Sequence, residues 1–146
     1  MKKTKKLIMI VFSGILLIAL GLYIAGNLYY THARIYEENW KIALPSDLRK
    51  LYGIKSATGP HGDGLRYTIY ELKDADAPFL EGASLRKNTE MQDEVIKILN
   101  DLRADKQKYP NFSNTYKWKI LSKYSDKLYM IYDTKSSYVY FVQNIP

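Results

Sequence analysis

Leu7 to Ile24 (LIMIVFSGILLIALGLYI) contains no charged residue, and Lys2, Lys3, Lys5 and Lys6 stand immediately before it. At about 1.5 Å of rise per residue, a helical run of this length covers roughly the 30 Å hydrocarbon core of a bilayer. Positive charge beside a span resists translocation, which holds that end in the cytoplasm. The expected organisation is a cytoplasmic basic tail over 1–6, a transmembrane helix over 7–26, a stalk over 27–39 and an extracytoplasmic domain over 40–146. The rival is a cleavable signal peptide, which shares the basic start and the apolar core, and Thr31-His32-Ala33 loosely fits its small-residue cleavage site. The length of the apolar run, and Tyr23, Tyr29 and Tyr30 placed like an interfacial aromatic belt, favour a retained anchor.

Composition narrows what the rest can do. Setting 34 N-terminal residues aside from 146 leaves 112, the size of one small globular domain. Cysteine is absent, which excludes disulfides, thiolate metal sites, iron–sulfur clusters, cysteine nucleophiles and a lipid-modified N-terminal cysteine. A cysteine-free domain outside the membrane suits the envelope of a Gram-positive bacterium. The net charge of +7 falls to +3 once the four N-terminal lysines are removed, since 18 basic residues then face 15 acidic ones. Much of the basicity is thus a topology signal, and no nucleic-acid partner is expected. The remaining excess favours at most an anionic lipid or wall surface.

Hydrophobic periodicity gives an α+β reading with a mostly antiparallel sheet and one main amphipathic helix. Trp40 to Leu44 alternates at period two and ends at Pro45, as a first short strand would. Ser46 to Tyr52 reads as a brief helical turn with Leu48 and Leu51 inward. Ile54–Thr58 and Leu65–Leu72 flank Gly59-Pro60-His61-Gly62-Asp63-Gly64, which predicts a hairpin. Thr89 and Gln92 form a capping-box pattern ahead of Met91, Val95, Ile98, Leu99 and Leu102, which predicts a helix over 90–104. Three strands follow, over 116–121, 128–133 and 138–143. The last two are apolar on both sides, so either N-terminal elements cover the second face or that face stays open for a partner.

Each chemical motif meets a plainer explanation. His61 and Asp63 sit two apart like metal ligands, but a catalytic zinc needs three protein ligands and the other histidine, His32, lies beside the anchor. Gly59, Gly62, Asp63 and Gly64 are better read as a structural turn. Asp74-Ala75-Asp76 fails the calcium-loop pattern at Pro78 and Phe79. Ser84-Leu85-Arg86-Lys87 fits S-x-x-K of the penicillin-recognising enzymes, whose other signatures are missing here. In Tyr116-Lys117-Trp118-Lys119 a strand sends the aromatics to one face and the lysines to the other. No metal and no cofactor is expected.

Trp40-x-Ile42-x-Leu44-Pro45, His61-Gly62-Asp63-Gly64-x-Arg66-Tyr67 and, more weakly, the closing Tyr132-Asp133 turn and aromatic strand carry a resemblance to small single-span extracytoplasmic proteins of Gram-positive bacteria. The resemblance implies location and compactness, and no activity, cofactor or substrate. The functional expectation is a membrane-anchored extracytoplasmic binding or interaction module, partnered by the membrane and by an envelope protein or an anionic wall or lipid surface. Tyr129, Tyr138 and Tyr140 are its candidate binding residues, because tyrosine is favoured where proteins meet. The alternatives are a small envelope hydrolase and an accessory subunit acting through its transmembrane helix, with Gly14 and Gly21 as close-packing positions. The scattered carboxylates argue against an enzyme more than for one.

Overall fold

The computed structural model describes the backbone of residues 2–29, 32–57 and 63–146, and the side chains of 11–24, 33–57 and 63–146. The chain divides into two compact units, Met1–Lys41 and Ile42–Pro146. The first holds two helices, α1 (Lys2–Tyr29) and α2 (His32–Trp40). The apolar side chains described on α1 point outward all round, from Ile24 at 49% exposure to Phe12 and Leu22 at 70%. Among the described residues no helix is long and apolar enough to cross a membrane; on α1 only the side chains of 11–24 are described.

Trp40 to Leu44 is not a strand. Trp40 is the last residue of α2, and Lys41 turns left-handed at φ +54° while its N–H donates to the Glu37 carbonyl at 2.9 Å. That is a left-handed helix stop, and Pro45, with no N–H to offer a ladder, follows it. The helical turn expected over 46–52 is likewise replaced, by a tight turn at Ser46 and Asp47 running into a strand. Local apolar spacing suggested a helix there, but pairing with the next strand decides the conformation.

The second unit is α+β, built on a five-stranded sheet in the order β1-β2-β5-β4-β3, antiparallel at every pairing. Its strands are β1 (Arg49–Lys55), β2 (Gly64–Glu71), β3 (Tyr116–Lys123), β4 (Asp126–Asp133) and β5 (Tyr138–Ile145). The expected hairpin is present as β1 and β2, with β1 beginning at Arg49 rather than Ile54. A register shift between Lys50 and Tyr52 leaves Leu51 as a bulge on this edge strand, and Leu51 faces solvent instead of turning inward. The meander β3-β4-β5 is as predicted, each strand running two residues further.

The main helix, α3, spans Thr89–Asp101. Its N-cap is Asn88, not Thr89: the Asn88 side-chain oxygen accepts the Met91 N–H at 3.0 Å. Gln92, freed from a capping box, reaches the Tyr116 hydroxyl at 2.6 Å. The helix ends before Ala104, where Arg103 turns to φ +53°. The N–H groups of Arg103 and Ala104 then donate to the carbonyls of Asn100 and Leu99, a Schellman stop with arginine in the place usually held by glycine.

Both faces of the sheet are buried at its centre, while β1 is largely exposed. On one, Met91, Val95, Ile98 and Leu99 of α3 pack with Tyr67, Ile69, Tyr129, Ile131, Tyr140 and Val142. On the other, Met130, Val139 and Phe141 are fully enclosed. Within this unit the second face is roofed by a 3₁₀ turn at Pro78–Leu80, whose Phe79 ring meets Phe141 edge-on at 5.8 Å. Lys117 and Lys119 tie that roof down, donating to the Ala75 and Glu81 carbonyls at 3.2 and 2.8 Å. The aromatic second face therefore does not stay open.

Candidate functional site

The register of the sheet gathers the three tyrosines picked out from the sequence, on the face beneath α3. Tyr129 and Tyr140 are 2% and 5% exposed, and Tyr138 is half-buried against them. Tyr140 stacks parallel to Tyr67 at 6.4 Å, Tyr138 meets Tyr140 edge-on at 6.5 Å, and the Tyr129 hydroxyl donates to Glu94 at 2.5 Å. Burial pushes the Tyr129 and Tyr140 phenols above their ordinary pKa, so both stay protonated and neutral. Tyr129 and Tyr140 are core side chains, and Tyr138 packs against that core from its margin. The sequence signal that singled them out, tyrosine on strands apolar both ways, is equally the signal of a core packed on both sides.

Of the predicted structural turn, Gly59 and Gly62 lie outside the described residues, as does His61. Asp63 is half-buried, and Gly64 takes φ +130°. A Cβ on Gly64 would lie 2.5 Å from the Ser56 hydroxyl oxygen, which accepts the Leu65 N–H at 2.9 Å. Ser56 also donates its own N–H to the Leu65 carbonyl, closing the hairpin base from both directions. Among the described residues no group of histidine, aspartate and glutamate converges to hold a metal. At Gly14 and Gly21 nothing lies within 4 Å of an added Cβ.

A groove of about 520 Å³ opens beside the roof segment, between Ala75–Leu85 and Lys117. Of its ionisable groups Asp76 and Lys117 are engaged with each other, while the Glu81 side chain is exposed. Asp74 accepts the Asp76 N–H at 2.9 Å, Asp76 pairs with Lys117 at 3.3 Å, and Ser84 accepts the Arg86 N–H at 3.2 Å. The pair of aspartates and the S-x-x-K serine thus act as turn-formers. Trp118 donates its indole N–H to the Arg86 carbonyl at 2.7 Å, while its backbone exchanges two hydrogen bonds with Ser84, which covers part of the outer edge of β3. Tyr116 and Trp118 do share one face and Lys117 and Lys119 the other.

Two further charged clusters were not legible in the sequence. In one, Glu94 on α3 receives the Tyr129 hydroxyl and pairs with Lys127 at 3.1 Å; these hydrogen bonds hold its carboxyl below the ordinary carboxylate range. In the other, Lys50, Lys55 and Arg66 are neighbours on the second face at the β1–β2 side of the sheet. Lys55 stands directly opposite Arg66, which stands opposite Gln143 of β5. Lys50 folds back over Gly53, its Nζ only 2.9 Å from where a Gly53 Cβ would be. No ion pair among the described residues involves these three cations. Placing Lys50 needed the bulge at Leu51, which no local pattern announces.

Comparison with protein-family models, with curated proteins and with solved structures finds no match to this chain.

Proposed function

We propose that this protein is a single-pass membrane-anchored module whose folded unit lies outside the cytoplasm and works by binding an envelope partner or an anionic surface. The observation that carries this reading is the outward exposure of every large apolar side chain described on α1, from Val11 through Ile24. A helix apolar all round needs a nonpolar surrounding, which a bilayer provides. The charge-free run extends beyond the described side chains to Leu7, and the helix that carries it continues from Lys2 to Tyr29. Lys2, Lys3, Lys5 and Lys6 orient it with the N-terminus inside. The resemblance to small single-span proteins of Gram-positive bacteria points the same way.

Binding rather than catalysis is favoured by how the described ionisable groups are used. Glu94 is committed to Tyr129 and Lys127, and Asp76 to Lys117, so two of the acids beside the helix and the groove are held in ion pairs. The test is a fusion after Pro146 to an enzyme that works only outside the cytoplasm, beside a second fusion to one that works only inside. Activity of the outside reporter, retained in the membrane fraction, is expected. An active cytoplasmic reporter at the same position would overturn the topology. Release of the folded unit into the medium would overturn the anchor in favour of a cleaved leader.

A further inference from the structure

We propose that Lys50 and Arg66, with Lys55 beside them, form a binding site for a phosphate-type oxyanion on the second sheet face, at the junction of β1 and β2. The sheet register and the fold-back of Lys50 make these three cationic residues neighbours on one face. Gly53 is opposite Thr68, and Arg66 lies two residues from Thr68 on the same face, so Arg66 is the diagonal neighbour of the position that the Lys50 ammonium covers. Diagonal neighbours on a sheet are about 7–8 Å apart at their backbones, within reach of long side chains. Lys55 stands directly opposite Arg66, a like-charge pairing that weakens a sheet unless something compensates it.

No ion pair described in the protein supplies that compensation. Gln143, on the other flank of Arg66, is neutral. Glu71, the acid of β2, is bound to Arg49 at 2.8 Å at the far end of the strand, and no described ion pair links Asp63 to the cluster. One guanidinium nitrogen of Arg66, Nη1, is buried with no hydrogen-bond partner among the described residues, and the Gln143 Oε1 across the ladder is buried and likewise without one. A buried donor of a charged group left unpaired is costly, and an oxyanion supplies the acceptor it lacks. Lys50 bears the same sign of stress: burial and the nearby Arg66 charge hold its pKa below the ordinary lysine value. An anion between the two would reverse that. Gly53 is what admits the arrangement, since any side chain there would occupy the space where Lys50 lies.

A tetrahedral, multiply charged oxyanion suits one guanidinium and two ammonium groups better than a single carboxylate does, because it offers an acceptor to each. Only the source of that phosphate rests on the proposed location outside the membrane: a lipid headgroup, or a free or polymer-borne phosphate. The site itself is tested on purified protein, independently of topology.

The experiment uses the full chain in nanodiscs of phosphatidylcholine, titrated with inorganic phosphate and read by calorimetry and by thermal unfolding. Saturable binding that raises the unfolding temperature is expected, weakened at least tenfold in Lys50→Gln and in Arg66→Gln and unchanged in Arg49→Gln, whose cation lies on the same strand outside the cluster. Lys50 is exposed, so Lys50→Gln keeps the test decisive if Arg66→Gln folds poorly. Without phosphate, Lys50→Gln should unfold no earlier than the parent, because it removes a repulsion. Absence of saturable binding in the parent, or equal binding in Lys50→Gln and the parent, would overturn the site. Repeating the titration in phosphatidylglycerol nanodiscs separates the sources: loss of phosphate binding by competition assigns the site to the lipid headgroup, and unchanged binding assigns it to a free or polymer-borne phosphate. Either result supports the site.

Discussion

At the scale of single residues, the backbone tolerates strain where packing or hydrogen bonding requires it, and glycine is placed where it cannot be replaced. Arg103 adopts a left-handed conformation at a helix stop, at a cost of about 1–2 kcal/mol that the Schellman hydrogen bonds offset. Tyr124 does the same at the tip of the β3–β4 hairpin, where its ring is almost wholly exposed. Gly64 differs, because both its φ of +130° and the Ser56 hydroxyl at 2.5 Å from an added Cβ exclude a side chain. Gly64→Ala should therefore destabilise the fold by roughly 1–3 kcal/mol, from backbone strain and the lost Ser56–Leu65 hydrogen bond. Asp63→Asn should be mild by comparison. Urea unfolding of the two variants checks this, and an unchanged midpoint for Gly64→Ala would show that the hairpin base adapts.

At the scale of elements, the same residues that signal a helix from the sequence do not fix where it starts. Asn88 and Thr89 are both acceptable caps, and the S/T-x-x-E/Q pattern selects Thr89. The chain uses Asn88 because that frees Gln92 to bond Tyr116 of β3, so a contact distant in sequence sets the boundary. Asn88→Ala should cost about 1 kcal/mol, the usual loss for a capping side chain, and Thr89→Ala only a few tenths. Equal losses in a denaturant series would return the cap to Thr89. The same logic explains the start of β1: residues 46–52 carry helical apolar spacing, but from Arg49 onward they belong to a strand that gains a ladder along β2.

At the scale of the whole molecule, the second unit is a sheet buried on both sides, with α3 on one face and a short 3₁₀ roof on the other. Phe141 is the centre of that second side, fully enclosed, with Phe79 edge-on at 5.8 Å and Tyr70 edge-on at 5.5 Å. Truncating such a ring leaves a cavity as well as losing its burial, so Phe141→Ala should cost about 3–5 kcal/mol, as much as Leu99→Ala beneath α3 at about 2–5. A cost below about 1 kcal/mol would mean that the roof is loosely packed. Because the middle of both faces is engaged, the cations Lys50, Lys55 and Arg66 gather towards the β1 edge of the second face.

The sequence by itself determined the α+β class, the existence and order of the hairpin, α3 and the three-stranded meander, and the segregation of Tyr116 and Trp118 from Lys117 and Lys119. These follow from periodicities of two and 3.6 that a chain carries locally. Tertiary structure alone decided three things. It placed Tyr129 and Tyr140 in the core, because alternation on a strand shows which residues share a face and not what covers that face. It turned Trp40–Leu44 and Ser46–Tyr52 away from their local patterns, because a helix stop at Lys41 and a ladder along β2 outweigh weak propensities over short segments. And it brought Lys50 to Arg66, because their meeting depends on the register of β1 against β2, which the bulge at Leu51 shifts by one residue.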